Sequence, residues 1–395
     1  MDKRLSKRVN EMATSATLAM AAKTRELKEQ GVDIIGLSLG EPDFPIPEFV
    51  KQAAIDAIEA NYHAYTPVDG YGDLKKAIIT KFKRDNNLTY NPSQIVVSTG
   101  AKQSLANLMM VLLDEGDEVL LPAPFWVSYA DQSKVAGGIP IEIPTTIETD
   151  FKVTPAALEA AITPKTKMIV YSSPCNPSGS VYNREELRKL ADVLAKYPDI
   201  IIISDEIYEH INFTGNHTSM AEFDDMYPRT VVVNGVSKAF SMTGWRIGYI
   251  GAPEWIARAC DKMQGQVTSG ANCIAQRATI TALENPPSKI QFMVEAFQER
   301  RSLILRLLSE IEGFKTNSPE GAFYVFPDIS YFFGKTLRGK KINSASDFSL
   351  YLLEEAKVAT VTGEAFGDAN CIRLSYAASE NEIKEAMKRI KEALR

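Results

Sequence analysis

Four isoleucines in succession, Ile200 to Ile203, closed by Ser204 and Asp205, restrict the fold of this chain more than any other stretch. A segment that is apolar at every position cannot turn one face to water, so a strand covered on both sides is expected. Similar runs recur at 94–99, 118–122, 167–171 and 230–233, with helix-like or turn-rich sequence between them. Gly100 follows the first of these runs and opens an apolar helical segment through Leu112. Buried strands alternating with helices predict an α/β fold whose central sheet is mostly parallel and flanked by helices.

That pattern stops at Asn285-Pro286-Pro287-Ser288. A long charged helix is predicted from Ile290 to about Ile311, followed by a strand-like run at 321–326 and a terminal α/β region. Glu41-Pro42-Asp43-Phe44-Pro45 reads as a crossover between units. The expected organisation is a large domain over 46–288 and a smaller one assembled from 1–45 and 289–395, which a chain of 395 residues can support.

The formal net charge is −6, and no long basic block offsets it, which argues against a nucleic-acid surface. No apolar stretch is long enough to span a bilayer, and the first residues lack the apolar core of a signal peptide. Cys175, Cys260, Cys273 and Cys371 are dispersed without a C-x-x-C pair, as expected of reduced thiols in a cytoplasmic protein. His63, His210 and His217 are far apart in sequence, so the expected chemistry uses neither a histidine metal site nor a Ser-His-Asp triad.

Lys238 stands just past the 230–233 run, with Arg246 eight positions on. Open α/β sheets bind ligands at the carboxyl ends of their strands. A lysine partly desolvated there beside fixed cations holds its proton less firmly, and its amine can attack a carbonyl. Taken alone it reads as an ordinary solvated lysine. Gly100-Ala101-Lys102 at a strand-to-helix junction offers backbone N–H groups to a phosphate, with Ser237 and Arg246 able to complete an anion site; alone, it is a tight turn. Asp205, at the edge of a dry region, needs a cationic or hydrogen-bonding partner. A protonated ring nitrogen of a cofactor would serve, and so would the first turn of a helix starting at Glu206. Tyr208 and Asn176 can reach a phenolate on the same ring, although Asn176-Pro177 also reads as a turn. Trp126 reads as core or as a surface for stacking a flat ring. Arg373 interrupts the apolar run 371–376 and needs a carboxylate, from the protein or from a substrate.

Together these residues resemble the class I aminotransferases, pyridoxal-phosphate enzymes of the aspartate aminotransferase fold, a type I transferase architecture. The resemblance runs from about Leu5 to the C-terminus. It is carried by Ser-Lys-Ala-Phe and Gly-Trp-Arg-Ile-Gly within 237–248, Asn-Pro-Ser-Gly at 176–179, Ser-Asp-Glu-Ile-Tyr at 204–208 and Ile-Arg-Leu-Ser-Tyr at 372–376. It implies that Lys238 forms the Schiff base with pyridoxal 5'-phosphate and then moves the proton. It implies also that Asp205 pairs with the pyridinium nitrogen, that Asn176 and Tyr208 contact ring O3′, and that Trp126 covers the ring beside the substrate. The amides of Ala101 and Lys102, with Ser237 and Arg246, would hold the phosphate. Arg373 would take the substrate α-carboxylate, helped by Asn176 and the backbone of Gly40. Tyr65 would reach the phosphate of a neighbouring subunit, which implies a homodimer with shared active sites.

One branch of that family reads the distal carboxylate of a dicarboxylic substrate with an arginine in the stretch corresponding to 263–270, and none is present here. Lys102 in Gly-Ala-Lys-Gln, and Ser15-Ala16-Thr17, resemble instead the bacterial branch of aspartate aminotransferases, where a lysine in this place does so. The implied reaction is ping-pong transamination between aspartate and 2-oxoglutarate. The alternatives are an aspartate/prephenate enzyme, an alanine-, aromatic- or kynurenine-type aminotransferase, and a carbon–sulfur lyase of the same fold. A non-catalytic regulator is disfavoured, because such relatives carry an added DNA-binding domain, and a purely structural protein would not need Asp205, Lys238 and Arg373 together.

Overall fold

The structure, a computed structural model, describes residues 3–12 and 14–395. Seven strands form the central sheet: β1 (Ile95–Ser98), β2 (Glu118–Pro122), β3 (Ile139–Ile143), β4 (Thr166–Ser172), β5 (Ile201–Asp205), β6 (Thr230–Gly235) and β7 (Gly248–Gly251). Their order is β1-β7-β6-β5-β4-β2-β3. Only β7 runs antiparallel to its neighbours. All five apolar runs are strands, and the mostly parallel α/β sheet is present.

Neither β3 nor β7 carries a clear strand signal in its own residues. β3 lies at an edge, is half exposed and contains Pro140. β7 begins and ends with glycine, a residue depleted in strands. Gly248 is required there because a side chain would collide with the backbone of Gly100 and Ala101.

The isoleucine run shows why both faces had to be apolar. Ile201 and Ile203 pack in one cluster with Leu105 and Leu108 of α1 (Ala101–Leu112), whereas Ile202 packs on the opposite side with Leu187 and Leu190 of α2 (Arg184–Leu194). The apolar residues of α1 recur at helical spacing, and α2 starts with a reciprocal capping box between Asn183 and Glu186.

A second, antiparallel sheet contains β8 (Tyr324–Val325), β9 (Val361–Thr362) and β10 (Ile372–Ser375), in the order β9-β10-β8. Two long helices, α3 (Gln291–Ser309) and α4 (Glu380–Ala393), place Phe297, Ile304, Ile383 and Ile390 in one apolar cluster with Phe323, Tyr324 and Leu374. The predicted charged helix is therefore present as α3, two residues shorter at its C-terminal end and preceded by a short 3₁₀ turn at Pro287–Ile290.

The segment leading into the crossover is anchored on the second sheet and its helices. Leu37 accepts from the Ser375 amide at 2.8 Å and donates to the Ala359 carbonyl at 2.9 Å. Arg300 of α3 grips Asp43 with both guanidinium nitrogens, at 2.7 and 3.0 Å, and also donates to the Ala377 carbonyl. This bidentate pair fixes the backbone of 38–43 over the strand ends.

Replacing Ile203 by alanine should cost about 2–5 kcal/mol, because this fully buried side chain fills space between β5 and α1. The denaturant midpoint is the measurement. A loss below about 1 kcal/mol would mean that the sheet is not packed as described.

Candidate active site

The carboxyl ends of β4, β5 and β6 and the N-terminus of α1 face one cleft, roofed by the crossover and by β8 and β10. Asp205 is the last residue of β5, paired with Ser172 on one side and Val233 on the other, and it is only 5% exposed. Its Oδ1 accepts from the Ile207 amide at 3.2 Å and its Oδ2 from the Tyr129 hydroxyl at 2.6 Å. No helix starts at Glu206; the bond to Ile207 closes a local turn instead. Burial raises the Asp205 carboxyl to about 6, against the lowering effect of these two donors.

Lys238 lies in the turn after β6, half-buried, with Nζ donating to the Gly40 carbonyl at 2.6 Å. Its amine sits 5.7 Å from the Tyr208 ring centre and 5.9 Å from that of Phe323. Burial lowers its pKa to about 8; Glu41 opposes that fall, while Arg373 and Arg246 add to it. The pocket thus weakens the charged form of both the acid and the amine.

The end of the cleft at the N-terminus of α1 is built from small residues. Gly100, at a left-handed φ of 81°, precedes α1, and any side chain there would strike the Arg246 guanidinium. Gln103 of the first turn donates its amide to the Gly100 carbonyl at 3.0 Å, which leaves the Ala101 and Lys102 N–H groups without carbonyl partners within the helix, and Gly100 brings no side chain to cap them. Arg246 donates to the Thr243 carbonyl at 2.8 Å, and buried Ser237 lines the same end of the cleft.

At the other end, Arg373 on β10 is 2% exposed yet meets no carboxylate among the described residues. It donates to Asn176 Oδ1 at 2.8 Å and to the Ser38 carbonyl at 2.6 Å, and its guanidinium lies 4.5 Å from the Tyr324 ring centre. Its Nε is buried without a partner. A buried guanidinium held by neutral acceptors keeps an unanswered positive charge, and a ligand carboxylate would answer it.

Lys102 extends from the first turn of α1 to stand 5.2 Å from the centre of the Trp126 ring. Burial and then Arg246 lower its pKa. Ser15 and Thr17 line the cleft beside it.

The cleft therefore collects Gly40, Ala101, Lys102, Trp126, Asn176 and Asp205, as well as Tyr208, Ser237, Lys238, Arg246 and Arg373. Tyr65 does not reach it from within the chain; its side chain is 99% exposed. Sequence reasoning missed Tyr129, Tyr324 and Ser172. Tyr324 and Tyr208 share a 2.7 Å hydroxyl contact, and the Ser172 hydroxyl is buried without a partner. Tyr129 lies just inside the helix Ser128–Val135, whereas Trp126 precedes that helix, so no helical spacing links the two in the sequence. Tyr324 sits in an apolar run where its ring reads as core.

The cleft also fits pyridoxal phosphate. An uncapped helix start with Arg246 and Ser237 suits a phosphate dianion, and a buried carboxylate suits a protonated ring nitrogen. The half-buried Lys238 amine, with its weakened hold on the proton, suits reaction with an aldehyde.

The family described as "Aminotransferase class I and II" matches residues 32–390. An aspartate/prephenate aminotransferase of Nitrosomonas europaea is 48% identical, with 98% of each chain covered. An aspartate aminotransferase of Bacillus sp. strain YM-2 is 46% identical, with 99% of each covered. Among solved structures, the aspartate aminotransferase of Rhizobium meliloti superposes with a TM-score of 0.95 at 44% identity, covering 99% of this chain and 98% of its own. That of Thermus thermophilus with maleate gives 0.93 at 40%, covering all of both chains.

In the cofactor-free protein, acylation of Lys238 by an amine-specific reagent should reach half its maximal rate near pH 8, because the neutral amine forms as pH rises through that value. Peptide mass spectrometry across a pH series measures this lysine separately from the solvated ones, whose midpoints lie near 10.4. A midpoint for Lys238 near 10 would contradict the desolvated pocket.

Proposed function

Because the chain belongs to the class I and II aminotransferases, we propose that it binds pyridoxal 5'-phosphate and exchanges amino groups between aspartate and 2-oxoglutarate. The observation that carries this reading is the convergence of the Lys238 amine, the Asp205 carboxylate and the Arg373 guanidinium on one cleft. The α1 N-terminus, Ser237 and Arg246 would hold the phosphate, Asp205 the ring nitrogen, and Tyr208 with Asn176 the ring oxygen. Trp126 would cover the ring. When bound, the cofactor supplies an aldehyde for the substrate amine and a protonated ring that draws electrons from the substrate carbon.

The protein's own part is positioning and proton transfer. Arg373, already seated on Asn176 and the Ser38 carbonyl, would clamp the α-carboxylate of the amino acid, with the Gly40 backbone alongside. Lys238 would take the proton from the substrate Cα and deliver it to the cofactor's C4′, on the far side of the shared nitrogen. Its lowered pKa places it close to the operating pH of a general base. Two oxo acids and two amino acids share one site, so ping-pong kinetics are expected.

Lys102, with Ser15 and Thr17, would read the distal carboxylate. The absence of an arginine in 263–270 and the position of Lys102 beside Trp126 support this reading. The Thermus thermophilus relative was solved with maleate, a dicarboxylate. The relative from Nitrosomonas europaea is named for prephenate as well. A second acceptor of that type fits the same pair of cations, since it also carries two carboxylates.

Tyr65, so fully exposed in the single chain, is read as donated to the phosphate of a second copy in a homodimer. We place the protein in the cytoplasm, with small amino and oxo acids as its partners. Among the described residues, no helix is long and apolar enough to cross a membrane. The division into 46–288 and 1–45 with 289–395 is proposed with the same function, the smaller unit carrying Arg373.

The test is the near-ultraviolet and visible absorbance of the reconstituted protein. Aspartate should remove the cofactor band, 2-oxoglutarate should restore it, and Lys238→Ala should abolish both turnover and the shift. A band indifferent to aspartate but removed by alanine or an aromatic amino acid would overturn the substrate assignment. Replacing Lys102 by methionine should raise KM for aspartate about tenfold, the scale of one charged hydrogen bond, and leave alanine unaffected. Equal effects on both amino acids would remove Lys102 from substrate recognition.

A further inference from the structure

We propose that Tyr129 is a positioning residue for Asp205, its hydroxyl keeping that carboxylate ionised and aimed at the ring nitrogen of the bound cofactor. The proposal rests on the reading of the site given above and assigns a residue that the family motifs quoted for this chain do not include.

The two oxygens of Asp205 are served unequally. Oδ1 has only the Ile207 amide at 3.2 Å, near the long limit for such a bond, whereas Oδ2 receives the Tyr129 hydroxyl at 2.6 Å. The shorter distance is that of a charge-assisted O–H···O⁻ bond. Tyr129 is itself fully buried at the start of helix Ser128–Val135, with its ring edge-on to Trp126 at 5.5 Å and 82°. The donor is therefore held by the same short segment that supplies the proposed ring cover.

Burial first, and the adjacent Asp205 second, push the Tyr129 phenol well above its ordinary value, so it remains a donor over the whole range in which an enzyme works. The charged and titratable groups that face Asp205 besides Tyr129 are Glu206, which opposes its ionisation, Lys238, which favours it, and Tyr208. Glu206 is occupied by Ser204, Ser219 and His217, at 2.8, 2.6 and 2.9 Å. Tyr129 is thus the only side chain that hydrogen-bonds Asp205 among the described residues.

Ser172 lies opposite Asp205 in the β4–β5 register, and its buried hydroxyl has no partner. It is a second donor that could turn toward the vacated oxygen if Tyr129 were removed. The stringent variant therefore removes both hydroxyls.

The experiment measures pyridoxal-phosphate affinity against pH for the wild type, Tyr129→Phe and Tyr129→Phe/Ser172→Ala, with circular dichroism to verify folding. The phenylalanine variant should raise the cofactor dissociation constant between about ten- and one-hundredfold near neutral pH, with the double variant at least as weak. The acid-side midpoint of cofactor binding should move up by about one unit or more, because an unsupported Asp205 keeps its proton to higher pH. In the loaded enzyme, kcat should fall more than KM for aspartate changes. Wild-type affinity and an unmoved midpoint in both variants would overturn the proposal while leaving the aminotransferase reading intact. A wild-type protein that binds no pyridoxal phosphate would overturn that reading, and this one with it.

Discussion

A carboxylate at the end of a fully buried strand is the constraint around which this cleft is built. Asp205 ends β5, whose other residues have no water on either face, so the acid is desolvated by the same packing that stabilises the sheet. Moving its pKa from 3.8 to about 6 corresponds to roughly 3 kcal/mol against the charged form. The surrounding architecture can be read as a response to that cost. Tyr129 and the Ile207 amide reduce it, Lys238 reduces it a little further, and a cationic ligand atom would remove most of what is left. A site with this residual need would gain part of its own stabilisation from a protonated ring nitrogen.

Close approach at the anion end is the second constraint, and it is met by omission of side chains. Gly100, Gly248 and the start of α1 lie so near one another and Arg246 that a Cβ on either glycine would overlap its neighbours. β7 can therefore run beside β1 and deliver Arg246 to the helix start. Arg246 has a left-handed backbone, φ 57°, a conformation few non-glycine residues adopt. That strain sits where the Arg246 guanidinium is held beside the uncapped start of α1, the place proposed for a phosphate.

The buried strands and the charged helix were legible because they rest on periodicity, which the sequence carries directly. The four isoleucines demanded cover on two sides, and α1 and α2 provide it. β3 and β7 were illegible for opposite reasons: an edge strand need not be uniformly apolar, and a strand of glycines is specified by close backbone contact rather than by its own side chains. In the cleft, the residues with an obvious chemical demand were visible, because a lysine, an acid or an arginine in an apolar context asks for a partner. Tyr129 and Tyr324 were not, since a tyrosine satisfies burial with its ring and shows its hydroxyl's purpose only when the fold brings in the acceptor. The apparent cap at Asp205 was half right. Its side chain does bond a backbone amide two residues on, but the chain turns there instead of starting a helix.

The paired shifts of Asp205 and Lys238 explain why one dry cleft can serve both binding and proton transfer. Between about pH 6 and 8 the folded chain keeps both groups mostly charged, and burial disfavours each charge. For Asp205 the sign is that the penalty is absent below about 3.8 and fully present above about 6, so a cationic partner gains most at neutral pH. For Lys238 the penalty acts in the other direction: it is fully present below about 8 and falls away between about 8 and 10.5, as the folded chain's amine loses its proton before the unfolded chain's does. At pH 7 this raises the neutral fraction roughly three-hundredfold over that of a lysine with the ordinary value of 10.5. Desolvation, with Arg373 and Arg246 adding to it at Lys238, therefore prepares an anion that wants a cation and an amine able to attack, and the Gly40 carbonyl accepts from that amine within the same cleft.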